Sequence, residues 1–452
     1  MFSSSIVSMS LSLAITFLLA KLLSPIAFGV IVTAEAFLEL FKFFFNFGLN
    51  NSIMKFASEH KEGFQSGLNK GIGNAFLIKA LMFLPLTLLI IVVAKFTVKD
   101  PLILKIIYLY IGVYLLESFS FVFGIARRAL GQFKLISAIS ILNKLIRLSI
   151  IALVLNFTKD LSILVLAFVL EKIIRLFISW ITTIKFINIE IEKTSIKSMI
   201  YDCFGYAFVD PLQGVQTKID RVMINSFLGS AAVAFYTIPS KITSAIQGFI
   251  KTGSNTLIPN LHNTYRNKNE DYVNSIKNIF RLSNIAAVLS FYVIYFFSEK
   301  ILYMFFGDKY VDGYAIAFCF AYLAVINICE NTSEIIFTTK ASHKTRVFYK
   351  TLSLIINIVM NLLLIPSMGI KGAVFATIIA NAVRMLIKFW FSRKELQLLD
   401  FIYFVLLPVL VLQFFQNEIL IVIYLVYVFW AKQITLNDFN RLFNVWAKRD
   451  KV

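Results

Sequence analysis

Apolar runs long enough to cross a bilayer follow one another from the first residues to near the last, separated by short polar turns. They lie at 6–23, 28–47, 72–95, 102–124, 135–156 and 161–184, and then at 200–224, 231–257, 280–298, 313–338, 347–365 and 371–391. A membrane helix needs ~20 residues, so each of these twelve reads as a span. Two shorter runs near 401–415 and 419–431 bring the expected number to fourteen. Strict alternation of apolar and polar residues is missing, which argues against a membrane barrel. The pattern predicts an all-α polytopic membrane protein. No Lys or Arg precedes the Ile6–Leu23 run and no small-residue cleavage site follows it. The run therefore reads as an uncleaved first span.

Charge sets the orientation. With the N-terminus in the cytoplasm, the inside loops and tail collect about 25 Lys and Arg, Arg127, Lys350 and Lys388 among them, against 8 outside. Cytoplasmic loops are enriched in these residues, so both termini are expected in the cytoplasm. The same asymmetry accounts for most of the +19 net charge on 452 residues. Nucleic-acid binding would need a dense basic patch, and none is present. Cys203, Cys319 and Cys329 have neither metal nor disulfide spacing and read as apolar packing.

The charges that matter lie inside the spans, where each costs about 2.5–3.5 kcal/mol if it faces lipid. The stretch Tyr201–Phe249 carries Asp210, Lys218, Asp220 and Arg221, interrupted by Pro211 and Gly214. Charge beside a Pro/Gly break in a spanning helix is the pattern of a transport path, and Pro211 and Gly214 are the candidate hinge. The second span holds Glu35, Glu39 and Lys42 at helical spacing on one face. Lys241 and Lys251 occupy the corresponding span of the second half. The fifth and sixth spans add Lys144, Arg147, Glu171, Lys172 and Arg175. In an antiparallel hairpin Arg147 and Glu171 reach similar depth, so they are either a buried ion pair, with Glu117 as a further partner, or part of a cationic patch. Lys79, Glu330 and Glu334 are expected toward the cytoplasmic ends in structural roles, where a long side chain can snorkel and a carboxylate can face water. Asn357 and Asn361, four apart, are expected to bond between helices.

Leu23–Val30 and Leu228–Phe235 are short turns at the same place in two halves, which suggests a parallel repeat of six spans each. Around them, AKLLSPIAFGVIVTAEAF (Ala20–Phe37), FGLNNSIMKFAS (Phe47–Ser58), ARRALGQFK (Ala126–Lys134), KIDRVMINSFLGSAAVAFYTIPSKI (Lys218–Ile242) and NIVMNLLLIPSMGIKGAVFATIIANAVR (Asn357–Arg384) follow in order. This series resembles the polysaccharide flippases, of O-antigen and capsule type, in the multidrug/oligosaccharidyl-lipid/polysaccharide exporter superfamily. The resemblance implies two pseudo-symmetric six-helix bundles around a central cavity that opens alternately to each side. The expected domains are 1–190 and 191–392, with 393–452 supplying the two short spans and a cytoplasmic tail. It implies as substrate an oligosaccharide repeat unit linked to undecaprenyl diphosphate. Membrane lipid, a glycan polymerase and other assembly proteins are the implied partners.

On this reading Lys42, Lys144, Arg147, Lys218, Arg221 and Lys241 would bind the diphosphate, since Arg and Lys both hold phosphate oxygens. Glu35, Glu39 and Asp210 are the candidates for coupling to a proton or sodium ion. No Walker motif occurs, and no cofactor or metal is expected. A drug or small-cation exporter of the same superfamily would need an acidic cavity; a lipid II flippase is the other alternative. A membrane enzyme would need an acid/base or nucleophile constellation. His60, His262 and His343 instead sit singly in loops.

Overall fold

The structure is a computed structural model that describes residues 2–46, 48–206, 211–255, 271–340 and 343–391. Asp210, the short runs at 401–415 and 419–431, and the tail lie outside the described residues. Among the described residues the chain is helical with no strand: α1 (Phe2–Leu22), α2 (Pro25–Asn46), α3 (Leu49–Glu59), α4 (Phe64–Thr97), α5 (Pro101–Ala129), α6 (Phe133–Phe157) and α7 (Leu161–Ile184). There follow α8 (Ile196–Tyr206), α9 (Pro211–Leu228), α10 (Ser230–Asn255), α11 (Asp271–Phe306), α12 (Val311–Lys340), α13 (His343–Met368) and α14 (Ile370–Phe391). Each of the twelve expected spans coincides with described helix; the seventh falls on α8 and α9, with residues 207–210 between them outside the described residues. Gly214 lies within continuous α9.

Side chains at the helix starts fix several boundaries. Ser24 Oγ accepts from the Ala27 amide at 3.2 Å, one residue ahead of Pro25. Asp100, ahead of Pro101, accepts from Leu102 and Ile103. Asp160 accepts from Ser162 at 2.7 Å, and the bonds from that amide hold its carboxyl below the ordinary value. At the other end of α1, Lys309 Nζ donates to the carbonyls of Ala20 and Lys21 at 2.9 Å each, satisfying acceptors that a helix C-terminus leaves open.

The outer faces follow membrane rather than soluble logic. Leu81, Leu84, Leu88 and Val92 on α4, and Ile355, Val359, Leu362 and Leu363 on α13, are exposed. A helix in lipid satisfies its backbone internally and can turn such a face outward. Seven described helices are long and apolar enough to cross a membrane on length and composition alone. Helices α2, α7 and α9 fail that test because every 18-residue window of each contains three ionisable side chains.

The chain forms two compact units. The first comprises Met1–Lys241, Leu302–Ile316 and His343–Ala376. Within it α5 packs on α2, α4 and α7, α1 packs on α6, and α9 packs on α2 and α13. The two turns singled out in the sequence meet here: a Cβ on Gly29 would stand 1.8 Å from the Ser230 carbonyl oxygen. Only glycine permits that approach. Gly73 likewise admits the Glu190 carbonyl, and Asn74 clasps the Glu192 backbone with a donated and an accepted bond. These contacts pin the 185–195 connection onto α4. The short α3 was not expected; its Leu49, Ile53 and Ala57 join a core with Leu68, Ile72 and Cys203.

The second unit comprises Ile242–Ile301, Ala317–Ser342 and the described residues from Thr377 onward. Within it Arg384 reaches Glu330 at 2.9 Å, and Lys388 pairs with both Glu330 and Glu334. This corrects two expectations. Glu330 is buried rather than facing water, and Lys388 is not a loop cation but 0% exposed. The ion pairs make burial tolerable, since each charge meets one of opposite sign. Arg127 and Lys350, also counted with the loops, are buried in α5 and α13. Lys79 does not snorkel either: it is buried and donates to the Phe45 carbonyl at 2.6 Å, to Ser118 and to Asn46.

Candidate functional site

Within the first unit, α1, α2, α5, α6, α7, α9 and α10 enclose a cavity of about 300 Å³. The helices too charged for lipid supply much of its wall. Seven basic and four acidic side chains line it, an excess of three positive charges. Five of the six expected binding residues, Lys42, Lys144, Arg147, Arg221 and Lys241, are on the wall, together with Glu35 and Glu39. Lys218 is joined to it through an ion pair with Glu39. Asp220, next to Arg221, turns away: it accepts from Tyr236 at 3.1 Å and from Asn361 at 2.7 Å, so the expected interhelical bond of Asn361 ties α13 to α9.

Pairing divides the wall into two kinds of cation. Arg147 Nη2 lies 2.7 Å from Glu35 Oε1, and its guanidinium sits 4.3 Å from the centre of the Phe168 ring. The Tyr110 hydroxyl donates to the same Glu35 oxygen at 3.0 Å. The pairing of Arg147 with Glu171, one of the two readings of that hairpin, is therefore replaced by one with Glu35. Glu171 instead reaches its neighbour Lys172 at 3.2 Å. Glu117 takes two cations, Lys42 at 3.3 Å and Lys172 at 3.4 Å. Lys144 donates to the Ser8 carbonyl at 2.6 Å and to the Ser8 hydroxyl.

Arg175, Arg221 and Lys241 have no carboxylate within salt-bridge distance among the described residues. Three cations without a carboxylate partner among the described residues, on a partly desolvated wall, favour an anion. The paired acids leave little negative surface for an organic cation.

Sequence reasoning missed the neutral part of the wall. Ser12 and Thr16 on α1, Tyr110 and Tyr114 on α5, Ser140 and Asn143 on α6, and Thr237 on α10 also line the cavity. Neither end of the Asn143 amide, nor the Thr237 hydroxyl, has a hydrogen-bond partner among the described residues. A buried polar group left so costs about 1–3 kcal/mol. Small neutral residues carry little hydropathy signal, so no pattern in the chain singles them out.

Residues 1–264 match the family described as Polysaccharide biosynthesis protein. A curated relative, the probable low-salt glycan biosynthesis flippase Agl15 of Haloferax volcanii, is 24% identical over 204 residues. That match spans 44% of this chain and 43% of the relative, less than half the length of either. Among solved structures, the lipid II flippase MurJ in an inward-closed conformation superposes with a TM-score of 0.79 at 15% identity, covering 96% of this chain and 99% of that one. An inward-facing multidrug resistance MATE family transporter of the MOP superfamily gives 0.67 at 13% identity, covering 86% and 98%. At these identities the structural likeness concerns the fold.

Proposed function

The chain belongs to the polysaccharide biosynthesis protein family, and on that premise we propose that it flips an oligosaccharide linked to undecaprenyl diphosphate across the bacterial inner membrane. The observation that carries the reading is the set of Arg175, Arg221 and Lys241 on the cavity wall, which have no carboxylate partner among the described residues. A diphosphate bearing a polar glycan has no acceptable path through hydrocarbon, because each desolvated charge or polar group costs several kcal/mol. A cationic, hydrated chamber removes most of that cost. The lipid tail stays in the bilayer while the head passes inside. Two six-helix bundles, 1–190 and 191–392, exchange access between the two sides, with Pro211 and Gly214 as hinge. The glycan flippase and lipid II flippase among the similar proteins support this direction. A small-cation exporter is disfavoured by the cation surplus of the wall.

The paired charges supply a means of coupling. Diphosphate oxygens compete with Glu35 for Arg147 and with Glu39 for Lys218. A carboxylate released in this way can take up a proton or sodium ion, and one charge crossing 100 mV contributes about 2.3 kcal/mol. Both termini face the cytoplasm in this arrangement. The test is deletion of the gene followed by assignment of the lipid-linked glycan to a leaflet. Accumulation on the cytoplasmic leaflet, reversed by the wild-type gene, is the expected result. Normal delivery to the outer leaflet in the deletion strain overturns the reading.

A further inference from the structure

The cavity wall holds two buried polar side chains that the cationic reading does not use. Asn143 is 5% exposed and Thr237 1% exposed, and both line the cavity. Among the described residues, neither the Asn143 nitrogen nor its oxygen, nor the Thr237 hydroxyl, has a hydrogen-bond partner. Because both ends of the amide are unpartnered, the point holds whichever way round the group is placed. Elsewhere in the same unit the buried Asn74 amide is bonded at both ends, clasping the Glu192 backbone. Buried polar groups in folded proteins are nearly always hydrogen-bonded, so groups that are not, and that face a cavity, point to a ligand.

Their placement suits a particular part of the substrate. Asn143 precedes Arg147 by four residues on α6, and Thr237 precedes Lys241 by four on α10. Each neutral group thus stands one turn, ~6 Å along the axis, from a cation on the same helix face. A glycosyl diphosphate presents the same sequence of chemistry, a charged phosphate and then, a few bonds away, ring substituents that donate and accept hydrogen bonds. Ser140, on the same face of α6 and also lining the cavity, extends the neutral surface. An amide offers a donor and an acceptor side by side, which complements vicinal hydroxyl or acetamido groups of a sugar ring.

We propose that Asn143 and Thr237 form a neutral subsite that reads the first sugar attached to the diphosphate and so sets which saccharide is carried. This rests on the flippase reading above and deepens it. A pocket that hydrogen-bonds a sugar discriminates against a ligand lacking it, because its own buried groups are then left unpaired.

The test measures binding to the full-length protein in nanodiscs. The probes are undecaprenyl diphosphate and its glucosyl, galactosyl and N-acetylglucosaminyl derivatives. Wild type is expected to bind at least one glycosylated probe about tenfold more tightly than the bare diphosphate. Asn143→Ala should abolish that preference while changing affinity for the bare diphosphate less than twofold. Thr237→Val keeps the side-chain shape and removes a hydroxyl without a partner. It should reduce the preference about threefold with no loss of thermal stability, and so tests the subsite if Asn143→Ala does not fold. Equal wild-type binding of bare and glycosylated probes overturns the subsite and leaves the flippase reading standing. So does a loss in the variants that is the same for all probes. Failure of wild type to bind any of these lipids overturns both.

Discussion

Replacing Glu35 by Gln separates the role of its ion pair in stability from its role in handling substrate. Its carboxylate lies 2.7 Å from Arg147 and accepts from Tyr110 at 3.0 Å. With charge centres roughly 4 Å apart and an effective dielectric near 20, the attraction is about 4 kcal/mol. The side chains are 33% and 20% exposed, so water in the cavity screens the pair. Allowing for that screening, a coupling of about 2 kcal/mol is expected. A double-mutant cycle over Glu35→Gln and Arg147→Met, read by unfolding of the purified protein in mixed micelles, measures it directly. A coupling below ~0.5 kcal/mol would refute the energetic claim. The single variant Glu35→Gln also frees the guanidinium for phosphate. It should bind undecaprenyl diphosphate about tenfold more tightly, a gain of about 1.4 kcal/mol, and flip it more slowly because release is delayed. Unchanged or weaker binding would mean that Glu35 and the diphosphate do not compete for Arg147.

Other consequences follow from the packing. Gly29→Ala places a methyl 1.8 Å from the Ser230 backbone oxygen, where no rotamer offers relief, and should abolish a monodisperse peak in size-exclusion chromatography; a wild-type profile would contradict the close approach. Glu330→Ala leaves Arg384 and Lys388 buried with less compensation and should cost about 3–5 kcal/mol, whereas a change below ~1 kcal/mol would mean the cluster is hydrated. Lys79→Met removes the donor shared by Phe45, Asn46 and Ser118 and should raise amide exchange at the end of α2, with no change expected at α13. Glu62, between α3 and α4, is pushed down to about 2 by the bond from Lys70. Its folded value lies below its unfolded one, so its contribution is present above about pH 4.5 and is lost as pH falls toward 2. The difference in local amide exchange between wild type and Glu62→Gln should therefore shrink over that window; a constant difference would contradict the pairing.

The spans were legible because a bilayer imposes one long apolar run per crossing, and α4, α5 and α6 obey it without exception. The wall of the cavity was legible for a related reason. Glu35, Glu39 and Lys42 on α2 could not face lipid, so their position alone turned that face inward. Partner choice was not legible. Arg147 chooses Glu35 over Glu171 through the packing of α6 against other helices, which spacing along the chain does not encode. Cations near the ends of apolar runs misled in the same way. Lys388 and Arg127 look like loop residues by position, yet one meets two carboxylates and the other meets Thr182 and Thr183. Helix α3 escaped because its 11 residues carry Lys55 and Glu59 and fall well short of a span. Asn143 and Thr237 escaped because neutral residues cost little in a hydropathy sum.

The unpaired cations of the wall are the centre of the account, and flipping in proteoliposomes tests them most directly. Undecaprenyl diphosphate bearing a single sugar would be followed from one leaflet to the other, with wild type compared against Arg175→Gln, Arg221→Gln and Lys241→Met. The account predicts folded variants that bind the lipid more weakly and flip it at least tenfold more slowly, most severely in the triple substitution. Wild-type flipping by the triple variant would contradict it.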